Sequence, residues 1–127
     1  MQNKYLFEYA VIRYVPRVER GEFMNIGVIL FCNELDFLET KYTLNTEKIH
    51  AFNSDADLSE IEASLLSFSR ICSGDPTGGP IAALPIAERF RWLTATRSTI
   101  VQTSDVHPGF CEDGKMMLER VWGEMVG

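Results

Sequence analysis

No apolar run in this sequence approaches the ~20 residues that a membrane-crossing helix needs. Positive charge is also short: 12 Lys and Arg stand against 18 Asp and Glu, for a net charge of −6. The first shortage excludes a spanning helix. The second argues against a general coat on nucleic acid or on an anionic membrane, because both select basic surfaces. Cysteine is scarce as well. Cys32, Cys72 and Cys111 lie about forty residues apart, with no C-x-x-C pair. Zinc sites draw ligands in close pairs, and an odd count makes a poor disulfide framework, so no metal and no bridged scaffold is expected. Cys32 ends an apolar run and Cys72 falls on an apolar helical stripe, so both read as small buried hydrophobes in a reducing cytoplasm. Cys111 is expected in a loop, the setting in which a thiol could react. Met1 to Lys4 carries a single Lys and Glu8 interrupts the apolar stretch that follows, so no cleaved leader is expected. The glycines of Gly74 to Pro80 are followed by no Lys-Ser or Lys-Thr, which excludes a phosphate-binding P-loop, and no cofactor signature is present.

What remains is a chain of 127 residues, 46% of them hydrophobic, the size of one domain, able to bury roughly two thirds of its unfolded surface without staples. Tyr5 to Val15 alternates, with Phe7, Tyr9, Val11, Arg13 and Val15 on one face and Glu8, Ala10, Ile12 and Tyr14 on the other, and reads as a strand ended by Pro16. A charged connection follows, with Gly21 free to take positive φ. Phe23 to Cys32 is the most apolar run and reads as a strand buried on both faces in mid-sheet. Phe37 to Leu44 alternates again after a short turn at Asn33 to Asp36. Three strands on short turns predict an antiparallel meander, since parallel neighbours need long crossovers.

Helical spacing then takes over. Leu58, Ile61, Leu65, Phe68 and Cys72 fall at steps of three and four, Asp57 and Glu60 resemble a capping box, and Gly74 supplies the stop. Ser73 to Pro80 reads as a flexible loop. A second helix is expected from near Pro85 through Leu93, with Phe90 and Leu93 toward the core. Strand chemistry returns over Ser98 to Thr103, a turn is expected at Asp105 to Gly109, and Asp113 could cap a last helix with Leu118, Val121, Trp122 and Met125 on one stripe. Strands first and helices later predict an α+β fold: a mostly antiparallel sheet from an N-terminal meander plus a later strand, with about three helices packed on one face.

The densest set of hydrogen-bond donors is Glu88 to Thr99. Arg89, Arg91 and Arg97 supply planar forks for a carboxylate or phosphate, and Ser98 adds a hydroxyl at a helix-to-strand junction. Two features weigh against an anion there. Arg89 and Arg91 are two apart and diverge on a helix, and a helix C-terminus repels anions. Ser104, Asp105 and His107 invite comparison with a hydrolase triad, but no G-x-S-x-G elbow is present, and His107-Pro108-Gly109 suits a turn. His50 stands alone beside Phe52. In the first hairpin Arg13, Arg17 and Arg20 face Glu19 and Glu22 in near balance and are expected to pair at the surface. Asn25, an amide inside an apolar strand, must find partners; it could tie the sheet to the hairpin turn or line a pocket.

The segments Y-A-V-I-R-Y-V-P-R-V-E-R-G-E-F-M-N-I-G-V-I-L-F-C (Tyr9 to Cys32) and E-R-F-R-W-L-T-A-T-R-S-T-I-V-Q-T-S (Glu88 to Ser104) together resemble the bacterial family catalogued as domain of unknown function 3037. The resemblance spans most of the chain and is weakest from Phe37 to Pro85. It implies no catalytic residues to carry over. Its members are often encoded beside HipA-like kinases, which implies a small protein that partners an enzyme.

Two readings of function follow. In the first, the chain is a cytoplasmic binding or regulatory module without chemistry of its own, docking a protein such as a HipA-like kinase through Arg17, Glu19, Arg20 and Asn25 and the acid-rich middle. In the second, an anionic small molecule, phosphorylated or nucleotide-like, is bound or processed by Arg89, Arg91, Arg97 and Ser98 with His107 as acid or base; this requires those side chains to converge. Single-stranded nucleic acid on Arg97 and Trp92 is weaker still, because stacking platforms come with basic grooves. An unpaired sheet edge would also allow a homodimer. The charge is uneven: Asn33 to Ala63 holds eight acids and two bases, whereas Ser64 to Ser104 holds two acids and four bases.

Overall fold

The computed structural model describes residues 4–97 and 99–127. Its sheet is antiparallel throughout. Strand β1 (Tyr5–Tyr14) pairs with β2 (Met24–Cys32), and β2 with β3 (Phe37–Tyr42), which gives the expected meander. The other edge of β1 is shared by two short strands: β4 (Val101–Thr103) pairs with Ile12 to Tyr14, and β5 (His107–Cys111) with Tyr5 to Tyr9. Among the described residues the four helices are α1 (Thr46–Phe52), α2 (Leu58–Ser73), α3 (Ile86–Leu93) and α4 (Gly114–Met125). No helix among the described residues is long and apolar enough to cross a membrane.

The fold is the α+β arrangement that the element order predicts, with four helices where about three were expected. The helices also divide between the two faces. Ala10, Ile12 and Tyr14 of β1 with Ile26, Ile29 and Phe31 of β2 pack on Ile61, Leu65, Phe68, Phe90 and Leu93. On the opposite face Phe7, Val28, Leu30 and Cys32 pack on Leu118 and Val121 of α4. Successive side chains of a strand point to opposite faces, so a central strand such as β2, with Ile26 to Cys32 all buried, requires cover on both. α4 supplies the second cover.

Local chemistry sets the ends of these elements. Asp57 accepts from the Glu60 N–H at 3.2 Å and Gly74 closes α2 in the left-handed region at φ 74°. Asp113 caps α4 through the Met116 N–H at 3.0 Å. The hairpin between β1 and β2 makes one 3₁₀ turn, Val18–Arg20, ended by Gly21 at φ 70°. In β2 an extra residue, Ile26, bulges between the pairs Ile12 with Gly27 and Arg13 with Asn25. Ser73 to Pro80, read as a flexible loop, instead enters two further 3₁₀ turns, Pro76–Gly78 and Pro80–Ala83, the first capped by the Asp75 carboxylate. Backbone and side-chain hydrogen bonds from Thr77 hold that carboxyl below its usual range.

The turn expected at Asp105 to Gly109 stops short, because from His107 onward the chain is strand. Pro108 fits an edge strand when its nitrogen faces away from the partner. Gly109 is required because a Cβ there would lie 2.6 Å from the Phe7 ring.

Candidate functional site

The three arginines of the donor-rich segment do not converge. Arg89, on α3, folds back over Gly74 and donates from Nη1 to the Ala82 carbonyl at 3.3 Å, while its Nε is buried without a partner. Arg91, two residues on, reaches the sheet. Both its Nη groups donate to the Glu8 carboxylate, at 2.8 and 2.6 Å, and these bonds hold the guanidinium above its usual pKa. Arg97 turns back to the end of α3, where its Nη2 donates to the Trp92 carbonyl and its guanidinium lies 3.9 Å from the centre of the Trp92 ring. Burial pulls the Arg97 pKa down. Ser98 lies outside the described residues.

His107 is placed away from this set. It pairs in register with Tyr9, with ring centroids 5.4 Å apart, and so shares the α4 face of the sheet. Glu8 precedes Tyr9 in the strand, so the Glu8–Arg91 pair occupies the opposite face. The convergence that the phosphate-processing reading requires is absent among the described residues. Nor do Ser104, Asp105 and His107 form a relay. Ser104 is buried, accepts from the Val11 N–H at 2.8 Å and donates to the Asp105 carbonyl at 2.9 Å, so its hydroxyl is spent on the backbone between β4 and β5.

The cysteine expected in a loop is in the core. Cys111 lies in β5 against Cys32, and burial pushes its thiol up to about 11; burial likewise pushes the Cys72 thiol up to about 12. Such thiols are inert rather than nucleophilic.

The hairpin residues fare differently. Arg20 pairs with Glu22 at 2.6 Å, while Arg17 and Glu19 are exposed and make no ion pair among the described residues. Arg13 does not join the expected surface pairs; its guanidinium lies 3.9 Å from the centre of the Phe23 ring. Asn25 ties β2 to the end of α4 rather than to the hairpin turn, donating from Nδ2 to the Met125 carbonyl at 3.1 Å, with its Oδ1 buried and unpartnered.

One cleft brings the hairpin and the acid-rich middle together. Arg17, Arg20 and Glu22 form one wall, and Phe52 at the end of α1 with Asn53 and Asp55 of the connection to α2 form the other, around a volume of about 220 Å³. The second wall is anchored to the sheet. The Asn53 Nδ2 donates to the Tyr14 hydroxyl at 2.9 Å, and the Phe52 ring meets Tyr14 edge-on at 6.1 Å. Helix α1, which positions this wall, has no counterpart in the sequence-based expectations. Its one usable sign was Asn45, which caps it through the Lys48 N–H. A larger groove of about 370 Å³ runs between α2 and the α3–β4 connection, with Arg97 and Trp92 on its rim. A third hollow, beside β5, is flanked by the exposed Phe110 and Met116.

A model of the family described as Protein of unknown function (DUF3037) matches residues 9–126, nearly the whole chain. No curated protein and no solved structure shows significant similarity to it.

Proposed function

Starting from the chain's membership of the DUF3037 family of proteins of unknown function, we propose that it is a non-catalytic protein-binding or regulatory module that docks its partner at the cleft between the β1–β2 hairpin and the α1–α2 connection. The observation that carries this reading is the meeting there of two charged segments, each of which leaves a charge unpaired on its wall. Arg17 stands on one wall and Asp55 on the other, neither ion-paired among the described residues, over the half-exposed Phe52 ring. A volume of about 220 Å³ is small for a ligand pocket, for which about 300 Å³ is a lower bound. Charges of both signs around an aromatic floor suit another protein's mixed-charge surface.

The dispersal of Arg89, Arg91, Arg97 and His107 supports the same reading over the phosphate-processing one. The three buried, unbridged thiols agree with a reducing cytoplasm. The partner to try first is a HipA-like kinase, the class nominated by the family resemblance. The test is co-purification of the tagged chain with that kinase. Charge reversal of both Arg17 and Arg20 to Glu is expected to weaken the complex by at least about tenfold without lowering the melting temperature. A complex that survives the double reversal at full strength overturns the assignment of the cleft.

A further inference from the structure

The groove between α2 and the α3–β4 connection belongs to no part of the docking cleft, and its chemistry differs. Ser64, Ser67 and Phe68 line it from α2; Trp92, Arg97 and Val101 line it from the other side. Its volume of about 370 Å³ falls within the range of small-molecule pockets. Phe68 is buried in the main core while Trp92 is 40% exposed, so the groove runs from an apolar floor to an aromatic rim.

Arg97 sets the polarity of the site. Its guanidinium is fixed by the Trp92 carbonyl and the Trp92 ring, and no carboxylate pairs with it among the described residues. Arg20, Arg91 and Arg120 each have a carboxylate partner. A partly desolvated cation with no counter-ion is stabilised by an anion brought to it. The number of charges then selects the kind of anion. One guanidinium at the negative end of the α3 dipole, in a chain of net charge −6, suits a single negative charge and disfavours a phosphate dianion. Ser64 and Ser67, three apart on one face of α2, place two hydroxyls along the same groove.

We propose that this groove binds a small amphipathic monocarboxylate, with its carboxylate on Arg97 and its apolar body along Phe68 and the Trp92 ring. Trp92 is then its own reporter. The chain's other tryptophan, Trp122, lies on α4, across the sheet.

The experiment titrates octanoate into a W122F variant of the full chain and follows Trp92 emission, with octanol and inorganic phosphate as the comparison probes. Octanoate is expected to change the emission saturably below about 10 mM, and octanol and phosphate to bind at least about tenfold more weakly. R97Q in the same background should weaken octanoate by about tenfold or more, the loss of a charge-assisted hydrogen bond. Because Arg97 also closes α3, a second variant, S64L, fills the groove while leaving Arg97 in place and should weaken octanoate to a similar extent. Circular dichroism reports whether each variant is folded. Equal binding of octanol, tighter binding of phosphate, an unsaturable response, or folded R97Q and S64L variants that bind octanoate as before would each overturn the proposal. None of these outcomes bears on the docking cleft, whose residues lie elsewhere.

Discussion

At the scale of the residue, the side chains that looked most reactive are occupied by the fold. Ser104 is the clearest instance. Its N–H donates to the Val11 carbonyl and its hydroxyl accepts from the Val11 N–H, both at 2.8 Å, so it stands in for a missing step of the β1–β4 ladder. S104A would leave the Val11 amide buried and unpartnered. The expected cost is about 1–3 kcal/mol, seen as a lower urea midpoint with an unchanged slope. The thiols give a second test. With burial raising the pKa of Cys111 to about 11 and of Cys72 to about 12, both stay protonated at pH 8. An aromatic disulfide reagent should therefore modify neither in the native protein and both once urea unfolds it. Rapid native-state labelling at either position would contradict the packing described around β5 and α2.

At the scale of the element, close backbone approach explains where glycine is needed. A Cβ at Gly27 would sit 2.8 Å from both the Lys41 carbonyl oxygen and the Tyr42 Cβ, neither of which is the far end of a flexible side chain. G27A is expected to destabilise by about 1–3 kcal/mol, measurable as a fall in melting temperature, because β3 must shift to admit it. The elements with strong periodicity were legible from sequence: β1 and β2, and α2 and α4 with their Asp57 and Asp113 caps. Two elements were not. Helix α1 buries only Ile49, so its seven residues carry no apolar stripe. β5 contains Pro108 and Gly109, which spell a turn unless one knows that Pro108 can sit on an outer edge and that the Phe7 ring covers Gly109. Which face of the sheet α4 would cover was also beyond reach, since a helical stripe shows that a face is buried but not against what.

At the scale of the whole molecule, the placement of charge decides what the surface can do. Arg17, Arg20 and Asp55 were visible as charged residues, but their meeting depends on how α1 docks beside Tyr14, a long-range contact with no local signature. The placement of α3 against the sheet and α2 disperses the arginines that local density had grouped: Arg91 goes to Glu8, Arg97 to the end of α3, and Arg89 over Gly74. The two surfaces proposed above, a mixed-charge cleft for a protein and a groove for a monoanion, share no lining residue. Site-specific photo-cross-linking in the native cell locates the docking surface. A photoreactive residue replacing Arg17 is compared with one replacing Met116, which is 73% exposed beside β5. One discrete protein adduct is expected from position 17, lost when Asp55 is changed to Lys, and none from position 116. An adduct from position 116 with none from position 17 would contradict it.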